Sequence, residues 1–167
     1  INLNIFNNHC DTVCMANIAQ MVNVLQAMIL TEGSKMVLTP TYHVFALYAA
    51  HQGAQQLESY AETRILRHDE EAVPTLHVSA SRAADGKILV TVANLDAAHP
   101  AEAQVLLGGV KAAAVDGMVL CGTADAHNTF IAPDAVQPKA LPAVLTADGF
   151  TATLPACSVA AFTVTPQ

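Results

Sequence analysis

The sequence predicts a mixed chain: a short β/α segment followed by an antiparallel β-sandwich or jelly roll. Three observations carry this expectation. The apolar residues before residue 60 come in long runs of Met, Leu, Val and Ala, whereas after it short β-type runs recur at close intervals. Two Asp-Gly steps, Asp85-Gly86 and Asp148-Gly149, are strong hairpin signals between such runs. No helical period of useful length follows residue 72, and regularly spaced short strands are the mark of sandwiches and jelly rolls.

Element by element, residues 13–18 form a compact apolar run that suits a buried strand, although so short a run does not exclude a helix. Residues 22–30 continue largely apolar, Thr31-Glu-Gly-Ser34 supplies a turn, and residues 36–38 read as a returning strand. Thr39-Pro40 has the form of a helix start, with a Thr cap and Pro at the first helical position. The spacing of Val44, Phe45, Leu47, Tyr48 and His51 then predicts an amphipathic helix ended by Gly53. Residues 55–71 are charged and read as a solvated connection. Strands are expected over residues 75–81, 87–94, 102–107, 117–121, 143–146, 151–154 and 159–165. The domain division is therefore 1–54, a connection over 55–71, and a sandwich over 72–167.

Composition narrows the function. The 167 residues are 53% hydrophobic, enough to bury a core, and the net charge of −7 with seven Lys and Arg leaves no basic stripe for a phosphate backbone. Nucleic acid is not expected as a partner. A membrane span is not expected either, because no run approaches 18 apolar residues. Ile1 is not a start methionine, and residues 1–8 lack the basic and apolar regions of a signal peptide. The chain reads as a piece cut or matured from something longer, so the parent's export stays open.

Motifs of chemistry are scarce. There is no nucleophile elbow, P-loop, dinucleotide fingerprint or HExxH helix, and no cofactor is expected. Cys10 and Cys14 beside His9 invite a metal reading, but a closed zinc site needs four ligands and no second pair follows. With Cys121 and Cys157 they read as buried or idle thiols. One feature is unusual: Asp11, Asn17, Gln20, Asn23 and Gln26 thread through an apolar segment. A buried amide without partners costs about 1–3 kcal/mol, so these groups are exposed, paired internally, or aimed at a polar ligand. Sugar hydroxyls suit Asn and Gln, whose amides both donate and accept.

The run His9-Cys-Asp-Thr-Val-Cys-Met-Ala-Asn-Ile-Ala-Gln-Met-Val-Asn-Val-Leu-Gln-Ala-Met-Ile-Leu-Thr31 resembles the segment that closes the catalytic barrel of family 51 α-L-arabinofuranosidases. Lys35-Met-Val-Leu-Thr-Pro-Thr-Tyr-His-Val-Phe45 is similar to the family's next segment. Val92-Ala-Asn-Leu-Asp96, His127-Asn-Thr-Phe-Ile-Ala-Pro-Asp-Ala-Val136 and Leu154-Pro-Ala-Cys-Ser-Val159 continue the match in order. Thr12 and Cys14 depart from it, since the family typically carries Arg after the Asp and often a second basic residue two positions later.

The resemblance implies the last β/α segment of a (β/α)8 barrel followed by a jelly-roll sandwich, to which an N-terminal segment adds strands. It places Gln20 at the catalytic end of the last barrel strand, where the family uses Gln to hold the arabinofuranose ring. Asn23 is a weaker substrate-binding candidate beside it. It also implies retaining hydrolysis of terminal arabinofuranosyl groups by two Glu. Both would lie upstream of Ile1, and none of Glu32, Glu58, Glu62, Glu70, Glu71 or Glu102 matches their motifs. The chain would then act only with the rest of the barrel, be inactive alone, form homo-oligomers and work in the cytoplasm. The alternatives are a non-catalytic accessory or oligomerisation module over 72–167, which the absence of Trp disfavours, and a different barrel glycosidase of the same clan.

Overall fold

The computed structural model describes all 167 residues. Helix α1 spans Asn2–Asn8; strands β1 (Ile29–Glu32) and β2 (Lys35–Leu38) form a hairpin; helix α2 covers Pro40–Tyr48 and runs into a 3-10 turn, Ala49–His51. There follow β3 (Gln55–Leu57), β4 (Ile65–His68), β5 (Glu71–Pro74), β6 (Leu76–Arg82) and β7 (Ile88–Asn94). The chain continues with β8 (Ala101–Leu106), β9 (Ala112–Cys121), β10 (Lys139–Ala140), β11 (Val144–Thr146), β12 (Gly149–Leu154) and β13 (Ser158–Pro166).

Two antiparallel sheets face each other. One has six strands in the order β10-β9-β13-β7-β6-β3, and the other three in the order β11-β12-β8. Period-2 alternation decides which side chains meet between them. Ile88, Val90 and Val92 of β7, Ala160, Phe162 and Val164 of β13, and Phe150, Ala152 and Leu154 of β12 form the core. Phe150 and Phe162 pack with ring centroids 4.8 Å apart. Every residue of β7 is buried, because α1, α2 and the 3-10 turn cover the outer face of the larger sheet.

The expected sandwich strands all form, and the differences lie at their ends. Asp85-Gly86 does not make a two-residue loop: Gly86 N–H bonds to Ala83 C=O, Ala83 N–H bonds to Lys87 C=O, and Gly86 holds φ +86°. That is the longer, glycine-bulged hairpin. At the second Asp-Gly step the loop is Ala147-Asp148, and Gly149 already pairs with Thr146. Gly149 is required for close approach, since a Cβ there would lie 2.0 Å from the Val105 carbonyl oxygen of β8.

Helix α2 starts as its sequence predicts, with the Thr39 hydroxyl accepting from Tyr42 N–H and Pro40 at its first position. Residues 13–18 correct the expectation of a strand: they make no ladder and run irregularly. A barrel strand needs neighbours on both sides, and no strand of this chain lies beside this run, so no barrel segment forms. Residues 55–71 carry more structure than a connection needs, because β3 extends the six-stranded sheet through β6 and β4 opens a hairpin with β5.

The smaller sheet covers only part of the larger one. Strand β8 has one free edge, and beside it a cleft of about 1070 Å³ is lined by the half-buried Leu57, Leu76 and Val78 from the six-stranded sheet and Ala103 and Val105 from β8.

Candidate functional site

The helical layer is fastened to the sandwich by a buried polar cluster. The Asn4 side-chain oxygen accepts from the hydroxyls of Tyr48 at 2.7 Å, Ser79 at 2.9 Å and Thr91 at 2.9 Å, and its amide donates to the His77 carbonyl at 2.8 Å. Asn7 and Asn8 donate to the Ser79 hydroxyl and the Val78 carbonyl. His51 bridges Ser81 at 2.7 Å through Nδ1 and Thr91 at 3.1 Å through Nε2. A neutral imidazole fits both contacts, donating from Nε2 and accepting at Nδ1. Burial holds the His51 pKa below its ordinary value and pushes the Tyr48 hydroxyl up to about 12. With its donors and acceptors matched, this cluster is structural.

Three aspartates are held firmly in their charged form. Asp85, Asp96 and Asp125 titrate below the ordinary range because donors hold their charged forms, which is the wrong direction for a general acid. Asp96 accepts from the backbone N–H of Ala98 and His99 and from Arg64 at 2.7 Å, closing the turn after β7. Of the glutamates, Glu102 is held by the Thr153 hydroxyl at 2.8 Å, and Glu70 and Glu71 sit on the exposed β4–β5 hairpin. Cys10, Cys14, Cys121 and Cys157 are free thiols; Cys10 and Cys14 are exposed, contrary to a buried role.

What remains is the segment that threads amides through apolar residues. It lies on the surface: Met15 is 70% exposed and Leu25 91%, with Met21 and Val22 also exposed. Asp11, Asn17, Gln20, Asn23 and Gln26 are all exposed, so none of them bears the cost of a buried, unpaired polar group. Gln20 makes no side-chain hydrogen bond within the chain, leaving its amide free to both donate and accept.

Asn23 is used differently. Its amide donates to the Thr31 hydroxyl at 2.8 Å, and its side-chain oxygen accepts from Thr31 N–H at 2.7 Å. Its own N–H bonds to the Ile29 carbonyl at 3.1 Å, and its φ is +54°. The Met21 carbonyl accepts from Met28 and Ile29 N–H, and Val22 bridges Ile29 in parallel. Thr39 closes the same loop from the other side, its hydroxyl donating to the Ala27 carbonyl at 2.7 Å. Gln20 therefore stands immediately before a stretch pinned to β1. Sequence reasoning missed α1 and its three buried or half-buried asparagines; their i, i+3, i+4 spacing was the available signal.

Comparison with known proteins identifies the family. Residues 1–158 match the family model described as alpha-L-arabinofuranosidase C-terminal domain. The chain is 40% identical over 141 residues to an intracellular exo-alpha-L-arabinofuranosidase of Bacteroides ovatus, covering 83% of this chain and 27% of the relative. The solved GH51 arabinofuranosidase of Xanthomonas axonopodis pv. citri superposes with a TM-score of 0.93 at 44% identity, covering 98% of this chain and 34% of that one. A family 51 alpha-L-arabinofuranosidase from Bifidobacterium longum superposes at 0.86 with 28% identity, over 97% of this chain and 33% of that one. The chain thus spans about a third or less of each relative's length.

Proposed function

This chain belongs to the alpha-L-arabinofuranosidase C-terminal domain family, and on that premise we propose that it is the C-terminal part of a retaining α-L-arabinofuranosidase. The observation that carries the reading is the likeness, over nearly the whole chain, to a solved arabinofuranosidase. In this reading the parent enzyme removes terminal non-reducing arabinofuranosyl groups from arabinose-containing oligo- and polysaccharides. Retaining hydrolysis uses two carboxyl groups about 5–5.5 Å apart, one as acid/base and one as nucleophile. Both are glutamates of the barrel and lie outside this chain.

The chain's own contribution is Gln20, whose free amide donates to and accepts from hydroxyls of the sugar ring. Residues 1–54 pack on the barrel, 55–71 join, and 72–167 form the sandwich. Two features support this division. The exposed Met15, Met21, Val22 and Leu25 make an apolar run that a barrel would cover. The cleft beside β8 fits the strands that the family resemblance brings from an N-terminal segment. We place the enzyme in the cytoplasm as a homo-oligomer, following the Bacteroides relative's name for the first and the family resemblance for the second. No helix of the chain is long and apolar enough to cross a membrane.

The test is an assay of an aryl arabinofuranoside with the purified chain, then with the barrel polypeptide added. No turnover alone and turnover on addition is the expected result. Appreciable turnover by the chain alone overturns the reading.

A further inference from the structure

We propose that Asn23 is a positioning residue, which fixes the backbone that presents Gln20 rather than touching the sugar itself. The inference rests on the reading of Gln20 as a sugar contact.

The hydrogen bonds around Asn23 follow the rule of a parallel ladder. In such a pair the carbonyl of one residue and the N–H of the residue two further on both bond to one residue of the neighbour. Here the Met21 carbonyl takes Ile29 N–H, and Asn23 N–H goes to the Ile29 carbonyl. The next rung should be Thr31 N–H to the Asn23 main-chain carbonyl. That rung is made by the Asn23 side-chain oxygen instead, at 2.7 Å, because the main chain turns away at φ +54°. The amide nitrogen then adds a bond to the Thr31 hydroxyl at 2.8 Å.

One residue thus ends the strand-like stretch and completes its ladder. Asn suits both tasks, since it enters the left-handed region more readily than most residues and its short amide imitates a peptide group. The consequence falls on Gln20. Gln20 is followed directly by Met21, whose carbonyl, in the next peptide along, receives both Met28 and Ile29 N–H. With residues 21–23 tied to β1, and β1 paired to β2 over four residues, the Gln20 backbone is anchored on one side to a hairpin. Without the Asn23 rung, the stretch keeps only its first bonds and Gln20 samples more directions.

The experiment is a double-mutant cycle in the assembled protein, chain plus barrel, with KM and kcat measured on an aryl arabinofuranoside. Asn23→Gly keeps the backbone angle and removes both side-chain bonds; Gln20→Ala removes the proposed contact. Asn23→Gly is expected to raise KM roughly 3- to 10-fold in the parent and to have no further effect in the Gln20→Ala background. Asn23→Asp, which still accepts from Thr31 N–H and takes the Thr31 hydroxyl as donor, should stay within about twofold of the parent. An equal Asn23→Gly effect in both backgrounds overturns positioning. So does a normal KM in Asn23→Gly while Gln20→Ala is impaired, and that outcome leaves the Gln20 reading intact. A normal KM in Gln20→Ala overturns the Gln20 reading and this inference with it. If Asn23→Gly fails to fold, Thr31→Val in the same cycle removes one of the two bonds and carries the same expectations.

Discussion

Strand β7 and the segment over residues 10–26 are both strongly apolar, yet all seven residues of β7 are buried and most of the segment is exposed. The difference is one of supply. Strand β7 has β6 and β13 as ladder partners, a second sheet on one face and helices on the other, all from this chain. The segment has no ladder partner over residues 13–18 and no layer above it. Apolar composition by itself does not say what provides the cover, and here one region is covered by its own chain while the other lies exposed.

That contrast is broken most strongly at the core. Phe162→Ala, removing a ring that is 1% exposed, should cost about 3–5 kcal/mol of stability, read by urea unfolding of the chain. Asn4→Ala should cost about 2–3 kcal/mol by the same measurement, because it strands the hydroxyls of Tyr48, Ser79 and Thr91 in a buried site. A sandwich indifferent to Asn4 would mean that α1 is only laid upon it.

Acid sharpens the contrast further. Burial lowers the His51 pKa, so below the ordinary value near 6.5 the unfolded chain takes up a proton that the folded chain resists. The contribution is complete above about pH 6.5 and is lost as pH falls from there through the lower folded value. His43 and His77 are shifted the same way. Melting temperature should therefore fall on acidification, and His51→Gln should flatten that fall. The smallest effect is expected at Leu25: Leu25→Ala should change the stability of the isolated chain by no more than about 0.5 kcal/mol. The same substitution should weaken association with the barrel polypeptide in a titration, and equal association would show that Leu25 faces solvent in the assembly too.

The strands around the core were legible because alternation and turn residues are local signals, and in β12 and β13 the local signal agrees with the burial. The elements missed were those whose reason lies elsewhere in the chain. Helix α1 is rich in Asn, a poor helix former, and it is held by partners some 70 or more residues away. Strand β3 is three residues long and pairs with β6, and β10 has only two residues, on β9. Gln20 was legible as an amide in apolar company. The use of Asn23 was not, because it depends on the register between residues 21–23 and β1, which no spacing rule states.

The lopsided sandwich has a consequence for measurement. A six-stranded sheet faced by a three-stranded one leaves a hydrophobic cleft and the bare edge of β8. Any segment that binds there binds the folded chain and not the unfolded one, so mass action raises the apparent stability by RT ln(1 + [L]/Kd), about 2.7 kcal/mol at a hundredfold excess over Kd. The chain's thermal midpoint should therefore rise with the concentration of any such segment added to it.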